Sequence, residues 1–217
     1  MSEPGGLRTL KKERTRQALA DAAITLFLAH GFDQVSVAQI AAAAEVSKPT
    51  LFRYFASKEA LVLHRIADHR GEAARVVGAR PAGQSPLQAL RHHFLDRLEH
   101  RDPATGLCDE PEVVAFHRLV FETPSLSSHL RDFVAADTEA LAQALTEAVE
   151  GPEGAAADTM TPRLVAAQYV AARQILTQAN WVRLAAGQSA EQTYPRAVAE
   201  AERAFALLAG GAAARGY

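Results

Sequence analysis

Cysteine is nearly missing from this chain of 217 residues, Cys108 being the only one. A single thiol excludes an internal disulfide and a cysteine-built zinc site, and it suits a reducing compartment. Its plain reading is a small apolar filler. Long apolar runs are absent too: none approaches the ~20 residues that cross a bilayer. The opening MSEPGGLRTLKKERTRQALA has no apolar centre of a secretory leader. The cytoplasm is therefore the expected compartment, with no membrane partner. Runs of Val, Ile, Thr and aromatics that would form strands are lacking, and aromatics make up only 6% of the chain. A Gly-rich phosphate loop, a G-x-S-x-G turn and an H-E-x-x-H pair are also lacking, so no catalytic residue and no cofactor are expected. The many carboxylates fall on amphipathic stretches, where solvated helix faces account for them. His92, Asp96 and His100 stand at i, i+4 and i+8, but no second cluster has ligand spacing and no metal site is expected. Nor is there an internal repeat of 20–50 residues.

What is present is Ala, Leu and Val in a chain that is 48% hydrophobic. That composition favours helices around a packed core. The net charge of −2 hides an asymmetry. Residues 1–70 carry ten Lys and Arg against seven Asp and Glu, and residues 71–217 carry thirteen against eighteen. All four lysines, Lys11, Lys12, Lys48 and Lys58, lie in the first 58 residues. A cationic amino-terminal part joined to an acidic remainder fits phosphate contacts at one end of the molecule.

The spacing predicts nine helices. Pro4, Gly5 and Gly6 argue for an irregular start. A basic run follows (Arg8, Lys11, Lys12, Arg14, Arg16), which reads as a solvated helix start or as an arm toward a phosphate backbone. The first helix is expected from about Leu10 to His30, with Gly31 as its stop. Ser36 and Gln39 form an S-x-x-Q capping box for a second helix. Glu45 and Val46 make a turn, and Ser47 caps a third helix at about 48–55 with Pro49 in its first turn. Leu51 and Phe55 point inward, leaving Lys48, Thr50, Arg53 and Tyr54 outward. A fourth helix is expected over about 57–78, before the break RPAGQSP at 80–86. Five more follow, with a flexible loop at EGPEGAAADTMT and a frayed tail. Two short helices joined by a tight turn, the second aromatic and basic, are the arrangement that sets a helix into the major groove of DNA.

The stretches GFDQVSVAQIA (31–41) and IAAAAEVSKPTLFRYFASKEALVL (40–63) resemble the signature of the tetracycline-repressor (TetR) family of bacterial transcription regulators. The resemblance covers about residues 10–65. It implies an all-α homodimer with a three-helix DNA-binding domain, placed here at 1–56. An effector-binding and dimerisation domain would occupy 57–217, with helix 57–78 as the link. It further implies a repressor that binds a palindromic operator in double-stranded DNA and is released by a small molecule of unknown identity. Carried onto this chain, Lys48, Pro49 and Thr50 begin the recognition helix, and Tyr54 and Lys58 contact phosphates. Ser36 and Gln39 touch the backbone, and Arg53 reads guanine or holds a phosphate. Phe52 stands where the family usually has Tyr and offers a ring without the hydroxyl. A helical adaptor for a partner protein, or an enzyme with an unrecognised site, is the competing reading.

For the second half, large side chains on the middle helices suggest an effector pocket of Phe94, Phe116, His117, Phe121, Tyr169 and Trp181. Simple core packing is the alternative for each aromatic. The last two helices offer Ala171, Ile175 and Val182, and Ala201, Phe205 and Leu208, as a close-packed dimer interface or as core within one subunit.

Overall fold

The computed structural model describes residues 4–67, 69–149 and 160–212. Every regular element among them is helical: α1 (Pro4–His30), α2 (Val37–Ala43), α3 (Lys48–Tyr54), α4 (Lys58–Ala67), α5 (Glu72–Gly78), α6 (Pro86–Glu99), α7 (Pro111–Glu122), α8 (Pro124–Val149), α9 (Met160–Ala185) and α10 (Ala190–Ala212), with a 3-10 turn at Pro103–Thr105 between α6 and α7. The expected loop after Val149, apart from Met160 and Thr161, lies outside the described residues, as does most of the expected frayed tail.

Two expectations are corrected. Helix α1 begins at Pro4 and not near Leu10. Proline and glycine cost least in a first turn, whose N–H groups have no intrahelical acceptor. The fourth expected helix is two helices, α4 and α5, among the described residues. Gly71 adopts a left-handed conformation (φ 65°) as the N-cap of α5. Its N–H donates to Asp137 Oδ1 at 2.8 Å. The other oxygen of Asp137 accepts from Arg173 Nη2 at 3.0 Å, and Asp137 itself is only 1% exposed. An α-helix cannot continue through such a residue.

The chain forms two compact units, Met1–His69 with Arg118–Leu130, and Arg70–His117 with Arg131–Tyr217. In the first unit, Leu19, Ala23 and Phe27 of α1, Ile40 and Ala41 of α2, Leu51 of α3, and Leu61 and Val62 of α4 are all buried. Ala41 is small enough to let α3 cross α2 closely.

The second unit is built on α6, α9 and α10. Phe205 of α10 lies against Phe94 of α6 (ring centroids 6.1 Å apart) and Tyr169 of α9 (6.0 Å). Ala201, Phe205 and Leu208 are part of this core. Of the expected dimer interface, these three are buried within the chain. The other half of that expectation sits differently: Ala171 is exposed, and Ile175 and Val182 are 68% and 51% exposed on α9.

Of the six side chains expected to line an effector pocket, two border a common cavity. Phe94 and Tyr169 line a cavity of about 10 Å³, room for roughly one water. Trp181 donates from Nε1 to Val114 O at 3.2 Å. Phe116 sits beside its neighbour His117, 6.4 Å between rings. Phe121 belongs to the first unit. Phe94 and Tyr169 both pack against the ring of Phe205.

Candidate nucleic-acid interface

The turn between α2 and α3 is fixed at both ends by local hydrogen bonds. Ser36 Oγ accepts from the N–H of Gln39 at 3.3 Å, and Gln39 Oε1 accepts from the N–H of Ser36 at 2.8 Å. This reciprocal capping box starts α2. Helix α2 ends with Glu45 left-handed at φ 53°. The Glu45 N–H reaches Ala42 O at 3.1 Å and the Val46 N–H reaches Ala41 O at 2.9 Å. These are the paired bonds of a Schellman ending. Ser47 then caps α3, its Oγ accepting from the N–H of Thr50 at 3.2 Å and lying 2.8 Å from Thr50 Oγ1.

Held this way, α3 turns Leu51 inward and leaves Lys48, Pro49, Phe52 and Arg53 exposed, with Thr50 and Tyr54 half-buried. Phe52 is 46% exposed, an unusual degree for a phenylalanine. Two cations lie over the rings of this face: Lys48 Nζ is 6.0 Å from the centre of Phe52, and Arg53 Cζ is 5.7 Å from that of Tyr54. Ser36 and Gln39 are also exposed. A short rod of cations, rings and hydroxyls offers point charges and donors for phosphates, a planar fork for guanine, and apolar edges for thymine methyls.

Lys58 is the exception among the expected contacts. Its Nζ donates to Phe32 O at 2.7 Å and Val35 O at 3.2 Å. It also lies 4.2 Å from the centre of the Phe32 ring and 5.9 Å from that of Phe27. The ammonium clamps the start of α4 to the loop between α1 and α2, so its charge is used within the unit rather than offered outward. Arg16 has a similar inward role. Its Nη2 reaches Tyr54 O at 3.4 Å, and its guanidinium lies 5.3 Å from the centre of the Phe55 ring. A cation at the carboxyl end of α3 also meets the negative end of that helix.

Sequence reasoning missed a charged group in the second unit. Arg97 pairs with Glu72, and with Asp102 at 2.6 Å. His93 Nε2 lies 3.4 Å from Glu72 Oε1, and Arg173 holds Asp137. Burial pushes the Tyr169 hydroxyl up to about 12. The signal was present in the sequence: Asp137 sits in the apolar stripe of α8, three residues after Val134 and four before Leu141.

A capped two-helix turn that presents a cationic, ring-bearing helix defines the class of a helix-turn-helix DNA-binding protein. The comparisons with known proteins agree. The family profile described as "Bacterial regulatory proteins, tetR family" matches residues 19–64. The chain is 35% identical over 181 residues to the HTH-type transcriptional regulator TcmR of Streptomyces glaucescens, covering 82% of this chain and 78% of TcmR. It is 33% identical over 95 residues to the HTH-type transcriptional repressor KstR of Rhodococcus jostii, covering 43% of this chain and 44% of KstR. Among solved structures, NalD of Pseudomonas aeruginosa, the secondary repressor of the MexAB-OprM multidrug efflux pump, shares the fold with a TM-score of 0.58 at 21% identity, over 89% of this chain and 96% of NalD. The chain belongs to the TetR family of bacterial transcriptional regulators.

Proposed function

We propose that the chain is a homodimeric repressor that holds a palindromic operator through α3 and leaves it when a small molecule binds the second unit. The observation that carries the DNA-binding part is the exposed face of Lys48, Phe52 and Arg53 on a helix capped at Ser47. The working division assigns residues 1–56 to operator binding and 57–217 to effector binding and dimerisation, with 57–78 joining them. Repression is favoured by the likeness to KstR and by the fold shared with NalD, both named as repressors. DNA in the bacterial cytoplasm is the partner this reading requires; it assigns no catalytic group.

Dimerisation is supported by an apolar stripe along the outer side of α9: Met160, Leu164, Ala171, Ile175 and Val182 are all exposed. A four-helix contact between two copies would cover it. Paired α3 helices about 34–36 Å apart would then read two half-sites one turn apart.

The effector reading starts from the polar groups around the one-water cavity bounded by Glu72, His93, Phe94, Arg97, Tyr169 and Arg173, which would have to open to admit a ligand. Its surroundings include Arg173 Nε, a buried atom without a hydrogen-bond partner among the described residues. An acceptor-bearing ligand that engaged Arg173 would compete with Asp137, and Asp137 holds the N–H of Gly71 at the start of α5. Such a ligand acts as a switch only if it binds the DNA-incompetent form more tightly. The test is to screen small molecules for release of bound duplex from wild type and from Tyr169→Phe. Release that weakens about tenfold in the variant supports the cavity, since a lost hydrogen bond costs about 1–1.5 kcal/mol. Equal release from both removes the effector from this place.

A further inference from the structure

We propose that the turn before α5 is a two-state joint. The buried carboxylate of Asp137 holds it in its broken form, and on release it becomes helical and carries α5 back through Gly71. The inference deepens the regulatory reading above and rests on that reading for its link to DNA binding. Between Lys58 and Gly78 the sequence contains no proline, and Val62, Ile66, Ala73 and Val77 recur at spacings of four, seven and four. That is the stripe of one uninterrupted helix. The structure breaks it at one place. Helix α4 is followed by a bond from the His69 N–H to Ile66 O at 3.1 Å, and α5 opens with the Arg75 N–H on Gly71 O at 2.9 Å. Gly71, at φ 65°, gives α5 no side-chain cap. The N–H groups of residues 72–74 therefore precede the first intrahelical bond of α5. They would gain carbonyl acceptors four residues earlier if the helix ran on.

The break is held from α8 and α9. Phe133 and Asp137 stand four residues apart on one face of α8. The Arg70 guanidinium lies 5.2 Å from the centre of the Phe133 ring, and Asp137 Oδ1 takes the Gly71 N–H. Arg173 of α9 holds the other carboxylate oxygen. A carboxylate that is only 1% exposed needs both oxygens engaged. Anything that draws Arg173 away thus loosens the hold on Gly71. The glycine supplies the second half of the device. A Cβ built on it would meet Arg75 Nη1 at 3.6 Å, an ordinary contact. Glycine is required there by its left-handed φ and not by lack of space. One hydrogen bond and one residue's backbone separate the two forms, the small gap that a switch needs. The chain passes from the first unit into the second at this turn, so its form bears on DNA binding.

The experiment follows amide hydrogen exchange at residues 72–74 in the full chain. It compares wild type with Gly71→Ala and with Asp137→Leu/Arg173→Leu, which removes the buried pair together. Gly78→Ala is the control: it raises helix propensity in α5 at an exposed position with nothing near its Cβ. Alanine at 71 penalises the left-handed form and favours the helical one, a shift of about tenfold between them. Exchange at 72–74 is expected to slow at least about fivefold in both joint variants and to stay within about twofold of wild type in the control. Faster or unchanged exchange in Gly71→Ala overturns the joint, because a turn that is merely structural would loosen. This variant keeps Asp137 and Arg173 and decides the matter alone if the double variant does not fold. Binding to duplex DNA, by fluorescence anisotropy, gives the second reading. Affinity in the two joint variants is expected to move in the same direction by at least about fivefold. Slowed exchange with unmoved affinity overturns the regulatory role of the joint. Wild type that fails to bind duplex DNA overturns the reading beneath, while slowed exchange still supports the two forms.

Discussion

Gly106 adopts φ +72°, and a Cβ built on it would lie 2.1 Å from Thr177 O of α9. Both facts demand glycine: the left-handed backbone, and the approach of the loop to a helix carbonyl. The same contact is stitched by Thr177 Oγ1 donating to Ala104 O at 3.1 Å and Asn180 Nδ2 donating to Thr105 O at 3.0 Å. Gly106→Ala is expected to destabilise the second unit by about 3 kcal/mol or more, a size reserved for core clashes and strained backbone, as read from urea unfolding. A change under about 0.5 kcal/mol would show that the loop relaxes freely. Nothing in the sequence marks this glycine among the thirteen of the chain, because the atom it makes room for is 71 residues further on. Ser36 and Gln39 were legible for the opposite reason, as partners three residues apart whose bond is local.

At the scale of elements, α4 holds a side chain whose position was legible and whose partners within the unit were not. The first turn of α4 was legible: Ser57 Oγ accepts from the Ala60 N–H at 3.2 Å, and Lys58 follows it. The resemblance sends that lysine to a phosphate, whereas the structure sends its ammonium to two carbonyls before α2. Lys58→Met keeps the apolar stem over Phe32 and deletes the charge-assisted bonds. It is expected to cost the first unit about 1.5–3 kcal/mol, measured by chemical unfolding, with the salt slope of DNA binding unchanged. Unchanged stability with a slope smaller by about 0.9 would return Lys58 to the phosphate. The split between α4 and α5 was hidden, since Gly71 inside a helical pattern reads as a tolerable cost. Its conformation is set by Asp137, and that partner is visible only once the chain has folded.

For the whole molecule, composition and spacing were enough to reach an all-α chain with a cationic helix-turn-helix near its amino end. They were not enough to divide α9 from α10. Ala171, Ile175 and Val182 have the same helical spacing and character as Ala201, Phe205 and Leu208. Only folding shows that the second set is buried in the core, Phe205 against Phe94 and Tyr169. The exposed set carries the quaternary prediction. Leu164→Glu with Ile175→Glu places two charges on the open stripe of α9, where the monomer tolerates them. Sedimentation is expected to move the species from two copies to one, with operator affinity falling by at least tenfold through loss of the second half-site. A dimer that survives both charges would place the interface elsewhere. The central claim, that α3 presents Lys48, Phe52 and Arg53 to a duplex, is tested most directly by selecting bound sequences from random double-stranded DNA with wild type and with Arg53→Ala. The account predicts that wild type enriches a two-fold symmetric site with half-sites about one turn apart, and that Arg53→Ala weakens or erases that enrichment. Wild type that enriches no sequence over the starting pool would contradict it.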